Sequence, residues 1–205
     1  MNLDNEKVIN CLSKVKNMIE ALINTEKNIL LFIQEVIRSS IMTPFFIVVT
    51  KLGNGGTIWI AIAVMLLFSK KKRRYGYMIM LSLLGSLLLN NLLLKNLVGR
   101  MRPYEIIGKL IPLIENTTDY ALPSGHTASS FAAAAILYRK LPKRFGVPAL
   151  ILATLIGFSR LYLGVHYPSD VLCGMVSGVG VSYIAEVVIN KTRDEYDRSV
   201  ENALD

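Results

Sequence analysis

Long apolar segments separated by short clusters of lysine and arginine constrain this sequence more than any other feature. The apolar segments occupy residues 29–49, 57–68, 75–94, 127–138, 146–163 and 171–189. Hydrophobic residues make up 52% of the 205-residue chain, which is more than a soluble domain usually carries. A helix needs about 20 apolar residues to cross a bilayer, so we expect an all-α integral-membrane bundle of six transmembrane helices.

Three of these segments are less regular than the others. Residues 57–68 and 127–138 hold 12 residues each, or about 18 Å of helix at 1.5 Å per residue, against a hydrocarbon core about 30 Å thick. Residues 29–49 contain two charged side chains and Pro44, which favours a kinked or partly re-entrant span. The boundaries of the first two spans therefore stay open.

The chain divides into three parts. Apolar residues within residues 1–28 recur at spacings of four and three from Val8 to Leu22, which predicts an amphipathic helix at the membrane interface. A short dimerisation coil is the alternative, and the oligomeric state is left open. Residues 29–190 form the transmembrane domain, and residues 191–205 form a charged cytoplasmic tail. Charges throughout residues 1–28 argue against a secretory signal peptide.

The basic residues indicate how the bundle is oriented. If six spans alternate, residues 1–28, 70–74, 139–144 and 191–205 share one face, and they hold 16 of the 23 lysines and arginines. Basic loops stay in the cytoplasm, so we expect a multi-pass plasma-membrane protein with cytoplasmic N- and C-termini. The net charge of +8 does not indicate nucleic acid as a partner, because the basic residues are not interleaved with aromatic residues on one face.

Three short polar motifs fall on the opposite, extracytoplasmic face. They are K-x6-R-P from Lys95 to Pro103, P-S-G-H from Pro123 to His126, and S-R-x5-H-x3-D from Ser159 to Asp170. Lys95 and Arg102 lie where positive charge is disfavoured, so membrane anchoring does not explain them. Together with Arg160 they bring three cations to one face, and such a group is suited to phosphate.

The remaining motif residues fit phosphoryl transfer. Ser124 is placed as a helix N-cap and Gly125 allows close approach to the backbone, so the start of this helix can bind an anion. Asp170, four residues after His166, can accept its Nδ1–H and leave Nε2 basic. Two histidines supply a nucleophile and an acid, but the residues alone do not decide which histidine attacks.

Neither a metal nor another cofactor is expected. The carboxylates of Glu105, Glu115 and Asp119 are scattered along one connection, and no third histidine or carboxylate cluster is available on this face. The three cations would therefore supply the charge stabilisation that a divalent metal supplies in other phosphatases.

The three motifs together resemble, without a gap, the signature of the type 2 phosphatidic acid phosphatase superfamily. The signature spans residues 95–170, and six spans with a short N-terminal helix are similar to the membrane branch of that family. The resemblance implies a metal-independent phosphatase that acts on a membrane lipid phosphate, with its active site outside the cytoplasm. Phosphatidylglycerophosphate and phosphatidate are the substrates we favour.

The resemblance also implies a role for each motif residue. In the family pattern His166 attacks phosphorus and becomes a phosphohistidine, and Asp170 orients it. His126 protonates the leaving alkoxide and then activates the water that hydrolyses the intermediate. The phosphate oxygens are held by the remaining motif groups, which are Lys95, Arg102, Arg160 and the backbone at Ser124 and Gly125.

Three other functions remain to be weighed. A diphosphatase for a polyprenyl carrier such as undecaprenyl pyrophosphate would carry the same motifs. Vanadate-dependent haloperoxidases share the same three motifs, but those enzymes are soluble and much larger. An anion transporter could use the buried charges as an ion path, although the sequence has no inverted repeat of the kind that transporters often show.

Overall fold

The computed structural model describes residues 3–115 and 118–202 of the chain, and the regular secondary structure of this part is all helical, without a β-strand. Its helices, in chain order, are α1 Leu3–Phe32, α2 Met42–Leu52, α3 Thr57–Leu67, α4 Arg73–Ser86, α5 Lys95–Val98, α6 Pro103–Ile106, α7 Gly125–Lys140, α8 Lys143–Tyr162 and α9 Pro168–Asn202. Wider π-helical turns, Ile33–Ile37 and Leu87–Leu94, extend α1 and join α4 to α5.

Helix α7 forms the centre of the bundle, and α4, α8 and α9 pack around it. Its run of alanines, Ala132–Ala135, is almost entirely buried, because small side chains let neighbouring helices approach closely. A Cβ atom at Gly178 of α9 would lie 2.3 Å from the carbonyl oxygen of Ala128, so only glycine allows this contact. The tight packing of α7 against α9 fixes where the polar ends of both helices lie.

Helices α2 and α3 together make one bent element. The short 3₁₀ turn Asn54–Gly56 separates them, and their axes differ by 47°. Gly55 and Gly56 have φ values of 58° and 72°, a left-handed conformation that glycine adopts readily. The turn expected from the Gly-Asn-Gly-Gly sequence is therefore present, and it lies within a broken helix.

Within the described residues, fewer helices than the expected six are long and apolar enough to cross a membrane by themselves. Within the described ranges three helical stretches could each cross a bilayer: Arg73–Ile106, Lys143–Tyr162 and Pro168–Glu195. The bent pair of α2 and α3 would make a fourth. Helix α7 has 16 residues and is shorter than a usual span. The structure supports a multi-pass membrane protein, but the count of six spans is not confirmed.

Residues 29–49 differ from a single span. Helix α1 continues past residue 28, the expected end of the interfacial helix, and the chain breaks between Ile37 and Met42. Arg38 explains the break, because its side chain donates from Nε to the carbonyl of Tyr162 at 2.8 Å and from Nη1 to that of Ile111 at 2.6 Å. A buried cation is more stable with such partners than facing lipid.

Contacts between the loops show which ends of the helices lie together. At one end Arg74 donates to Asn190 at 2.5 Å, and Arg139 donates to Glu186 at 3.0 Å. The basic residues of 70–74 and 139–144 and the start of the tail thus share one end of the bundle, called here the basic end. The tail beyond residue 202 lies outside the described part of the chain.

The N-terminal helix differs from the expected arrangement at its last turns. Residues 1–28 were expected on the same face as the basic loops, but Glu26 binds Arg100 and the backbone of Ser169 at the opposite end. The apolar residues of α1, such as Leu12 and Leu22, are exposed. The amphipathic interfacial role of this helix therefore stays a prediction.

Candidate active site

A cavity of about 390 Å³ opens at the end of the bundle opposite the basic end. Six of the eight residues singled out from the sequence line it: Lys95, Arg102, Gly125, His126, Arg160 and His166. These residues come from α5, the segment before α6, α7, α8 and the loop between α8 and α9. Five parts of the fold, from residue 95 to residue 166 of the chain, thus place the predicted groups around one space.

Two of the three predicted cations bind a carboxylate that sequence analysis had set aside. Asp119 forms ion pairs with Lys95 and with Arg102, whose Nη2 donates to Asp119 Oδ1 at 2.5 Å. Partial burial opposes ionisation of this carboxyl, but the hydrogen bonds and charges of the two cations hold the pKa of Asp119 well below its ordinary value. The Asp119 carboxylate is therefore an intramolecular anion in the place where an anionic ligand would bind.

Arg160 is the third cation, and its charge is not balanced by an ion pair with any carboxylate that the structure describes. Its Nη1 donates to Thr50 Oγ1 at 2.6 Å, while its Nε is buried and has no hydrogen-bond partner in the protein. A buried cation is costly unless an anion or several acceptors surround it. Because Arg160 lines the cavity, its unbalanced positive charge is suited to an anionic ligand.

The position of His166 indicates which of its nitrogens carries the proton. Its Nε2 lies 3.1 Å from Nη1 of Arg102, and a guanidinium can only donate. Nε2 must therefore accept, so the proton of the neutral ring is on Nδ1. Burial, followed by the charges of Arg160, Arg102 and Lys95, holds the pKa of His166 well below its ordinary value. His166 is thus neutral near pH 7, and the lone pair of its Nε2 points towards the cations that line the cavity.

Asp170 lies behind His166 and does not line the cavity. Its Oδ2 is 3.6 Å from Nδ1 of His166, somewhat longer than a hydrogen bond, and accepts from the backbone N–H of Tyr167 at 2.8 Å. Its Oδ1 accepts from Nη1 of Arg100 at 2.6 Å. The expected hydrogen bond from Nδ1 of His166 to Asp170 is not formed here: the two groups lie close together, but Nδ1 has no hydrogen-bond partner among the described residues. Arg100 was missed, although it is a further cation on the face where basic residues are disfavoured.

His126 lies in the first turn of α7 and contacts the bend between α2 and α3. Its Nε2 lies 2.8 Å from Oδ1 of Asn54, and a Cβ atom at Gly53 would come within 3.1 Å of its ring. The bend thus holds the imidazole at the cavity. Sequence analysis identified this bend only as a turn, because nothing in Gly-Asn-Gly-Gly itself indicates a histidine partner.

Ser124 departs from its predicted role. It is the N-cap of α7, but its side chain makes no capping hydrogen bond, and its Oγ accepts from Thr127 at 3.0 Å. Its backbone N–H donates to the carbonyl of Asp170 at 3.0 Å. The amide of Ser124 is therefore occupied in joining α7 to α9, whereas Gly125 faces the cavity.

The placement of the histidine, cysteine and acidic side chains bears on whether the site could hold a metal ion. No group of three or more histidine, cysteine, aspartate or glutamate side chains in residues 3–115 and 118–202 is arranged to hold a metal ion. The charged groups that surround the cavity are mainly cations, which repel a metal ion and attract an anion.

Comparison with known proteins agrees with the motifs. The PAP2 superfamily matches residues 73–194, which is more than half of the chain, and the chain belongs to this superfamily. The resemblance inferred from the three motifs is thereby confirmed.

Individual relatives show how far the similarity extends. The chain is similar to a Sulfolobus acidocaldarius protein named undecaprenyl-diphosphatase, with 30% identity over 128 residues, or 62% of each chain. This match spans less than two thirds of that relative's length. The chain is also 29% identical to the lipid A 4′-phosphatase of Bacteroides thetaiotaomicron over 174 residues, which cover 78% of this chain and 75% of that one.

A solved structure shares the fold. The crystal structure of a transmembrane PAP2 type phosphatidylglycerolphosphate phosphatase from Bacillus subtilis aligns with a TM-score of 0.69 and 27% identity. The alignment covers 83% of this chain and 87% of that one. The helical membrane-phosphatase fold expected from the sequence is therefore confirmed at this level.

Proposed function

We propose that the protein is a membrane lipid phosphatase that removes a terminal phosphate from a lipid through a phosphohistidine at His166. The observation that carries the proposal is the polarity of the cavity. Its lining divides into two chemical kinds: three buried cations together with His166, and the aliphatic side chains of Ile60, Met80, Leu83, Leu84 and Leu87. A cavity with this division fits an amphiphile whose phosphate head meets the cations.

The proposed reaction has two steps. In the first, the lone pair of His166 Nε2 forms a bond to phosphorus, the bond from phosphorus to the lipid oxygen breaks, and His126 gives its proton to that oxygen. In the second, His126 takes a proton from water, the water oxygen bonds to phosphorus, and the nitrogen–phosphorus bond breaks. Inorganic phosphate is released and His166 is neutral again.

The other site residues act by binding and orientation. Lys95, Arg102 and Arg160 bind the phosphate oxygens and stabilise the charge of the transition state. The N–H of Gly125, at the start of α7, adds a donor. Ser124 is left out of this set because its N–H is already donated to Asp170. Since cations supply the charge stabilisation, the proposed reaction requires no metal ion or other cofactor.

The substrate we favour is a glycerophospholipid monophosphate, either phosphatidylglycerophosphate or phosphatidate. The similarity to the Bacillus subtilis phosphatidylglycerolphosphate phosphatase supports the first of these. The second candidate is undecaprenyl pyrophosphate, which the relative from Sulfolobus acidocaldarius supports by its name. We place the active site on the extracytoplasmic side of the plasma membrane, because the cavity lies opposite the basic end.

Phosphate release by the purified protein tests the proposal. The protein in detergent is given phosphatidylglycerophosphate, phosphatidate and undecaprenyl pyrophosphate separately, with EDTA present throughout. We expect release from at least one of them, undiminished by EDTA, and loss of turnover in His166→Ala. The matched control is Arg139→Met, which removes an arginine at the basic end and should keep wild-type turnover.

Two results would contradict the proposal. Phosphate release that EDTA abolishes would show that the reaction needs a metal ion. Near-wild-type phosphate release by His166→Ala would show that the reaction does not pass through a phosphohistidine at His166. Anion flux into vesicles without phosphate release, unchanged in His166→Ala, would instead favour the transporter.

A further inference from the structure

An ion-pair network with buried carboxylates and a partly exposed arginine connects the N-terminal helix to Asp170. Arg100 lies at its centre and donates from Nη1 to Asp170 Oδ1 and from Nη2 to Glu26 Oε2, each at 2.6 Å. The side chains of Glu26 and Asp170 are 4% and 0% exposed. Two carboxylates from distant parts of the chain thus share one guanidinium in a largely water-excluded place.

Additional contacts fix the orientation of the network. Glu26 Oε1 accepts from the backbone N–H of Ser169 at 2.8 Å, and Arg100 Nη1 also donates to Ser169 Oγ at 2.6 Å. The guanidinium stacks on the ring of Tyr167 at 3.9 Å. Glu26 and Arg100 therefore hold Tyr167 and Ser169, two residues of the segment that carries His166 and Asp170.

Neither Glu26 nor Arg100 touches the proposed ligand, because neither lines the cavity. Any effect on the reaction must therefore pass through Asp170. Asp170 Oδ2 has the N–H of Tyr167 as its hydrogen-bond donor, and Oδ1 has Arg100. Without Arg100 the buried carboxylate would keep its charge with half of its donors, which is costly enough to make it rotate or take up a proton.

A rotated or protonated Asp170 would no longer face Nδ1–H of His166 as an anion. Arg102 still donates to Nε2 and favours the Nδ1–H tautomer, but with the anion lost a fraction of the molecules would carry the proton on Nε2, the nitrogen that has to attack. Glu26 is required because it accepts from Nη2 of Arg100, and without it the guanidinium would be free to turn towards other acceptors.

We propose that Arg100 and Glu26 are positioning residues that keep Asp170 ionised and aimed at His166, so that the N-terminal helix is part of the catalytic unit. This inference rests on the proposed function. Glu26 lies outside residues 73–194, the part that matches the PAP2 superfamily, so this chain completes its site with a residue that the family match does not include.

Steady-state kinetics with Arg100→Met and Glu26→Gln form the first part of the test. We expect kcat to fall about 100-fold in Arg100→Met, the loss typical of a misplacement near 1 Å, and about 10-fold in Glu26→Gln. KM should stay unchanged in both, since neither residue contacts the phosphate. The double variant should match Arg100→Met alone, because Glu26 acts only through Arg100.

Arg139→Met is the matched control. Arg139 also pairs with a glutamate, Glu186, at 3.0 Å, and stacks on Tyr183 at 4.0 Å, but it lies at the basic end. An equal loss of kcat in Arg139→Met and Arg100→Met would show a general packing defect and would overturn the inference.

The second part of the test reads the tautomer of His166 without turnover. The chain has two histidines, so ¹⁵N-histidine NMR of the protein in micelles yields two imidazole spin systems, and His126→Asn assigns them. We expect the Nδ1–H tautomer for His166 in the wild type and in Arg139→Met. Glu26→Gln, which keeps the size of the side chain, and Arg100→Met should show a mixture of tautomers.

The two readouts separate the inference from the function on which it rests. Wild-type protein that releases no phosphate from any of the three lipids contradicts the proposed function, and the NMR spectra then still test the network. A wild-type kcat together with an unchanged Nδ1–H tautomer in Arg100→Met overturns the inference even if the enzyme is a lipid phosphatase.

Discussion

Asp119 is the residue whose position most affects ligand binding at the site. Its carboxylate pairs with Lys95 and Arg102, the two cations proposed to bind the phosphate, so a phosphate group must displace it. It also repels an incoming dianion, because like charges at close range are strongly unfavourable.

Asp119→Asn should therefore bind oxyanions more tightly. We expect the inhibition constant for vanadate to fall roughly 10-fold, which corresponds to about 1.4 kcal/mol, because both cations become available. Competitive inhibition of phosphate release measures the constant. Glu186→Gln, which removes a carboxylate at the basic end, is the control, and weaker vanadate inhibition in Asp119→Asn would contradict this account.

The same carboxylate predicts a pH dependence of stability. Because the pKa of Asp119 is lowered in the folded protein, its ion pairs stabilise the fold above its unfolded pKa of about 4 and lose that effect as the pH falls through the folded value. Thermal unfolding should show a lower Tm for Asp119→Asn than for wild type at pH 7, and the gap should shrink below pH 4. A gap that grows on acidification would contradict the prediction.

The motif residues were predictable singly, but their partners were not. Lys95, Arg102 and His166 could be selected because their residue types and spacings indicate phosphate chemistry. Arg100 and Thr50 have no such signal, since their roles depend on side chains 70 and 110 positions away. A lone arginine or threonine in a sequence gives no indication of the group it will face after folding.

The packing of α7 against α9 is the contact between elements on which the site depends most. His126 lies in the first turn of α7 and Asp170 in the first turn of α9, and the contact at Gly178 sets the distance between the two helices. A methyl group there would meet the backbone of Ala128, which cannot move without displacing α7.

Gly178→Ala should lower both stability and activity. Overpacking of this kind costs about 1–3 kcal/mol, and the displaced helix would also move His126 or Asp170 away from the cavity. Thermal unfolding and phosphate release measure the two effects. Gly180→Ala is the matched control, because a Cβ atom there meets nothing within 4 Å, so it should leave activity intact. Equal stability and activity of Gly178→Ala and Gly180→Ala would show that the contact of Gly178 with Ala128 determines neither property.

Hydrophobicity alone does not predict where every helix of this chain begins and ends. Segments 75–94, 146–163 and 171–189 were expected as spans, and each lies, apart from residue 163, within one of the three stretches that could cross a bilayer. Residues 29–49 have a similar apolar content but are broken at Arg38, because tertiary acceptors at Tyr162 and Ile111 were not visible in the sequence. A broken helix and a continuous one can have the same mean hydropathy.

At the scale of the whole molecule, the two ends of the helix bundle differ in the groups that they carry. The basic end carries the basic loops, and the other end carries the cavity. From the rule that basic loops stay in the cytoplasm, we propose that the cavity lies on the extracytoplasmic side, where the phosphate would be released away from the cytoplasm.

Cysteine labelling in intact cells checks this orientation. Cys11 and Cys173 are both free and exposed, so they are first replaced by serine. A membrane-impermeant maleimide should label Lys109→Cys, near the cavity end, in intact cells, and Lys71→Cys, at the basic end, only after permeabilisation. The reverse pattern would place the active site in the cytoplasm.

Trapping of the phosphoenzyme tests the central claim most directly. Wild-type protein turning over ³²P-labelled lipid phosphate is quenched in base, where phosphohistidine survives, and digested for mass spectrometry. We predict one labelled peptide, carrying an acid-labile phosphoryl group on His166 that is absent in His166→Ala. Turnover with no label, or a label on another residue, would contradict the account.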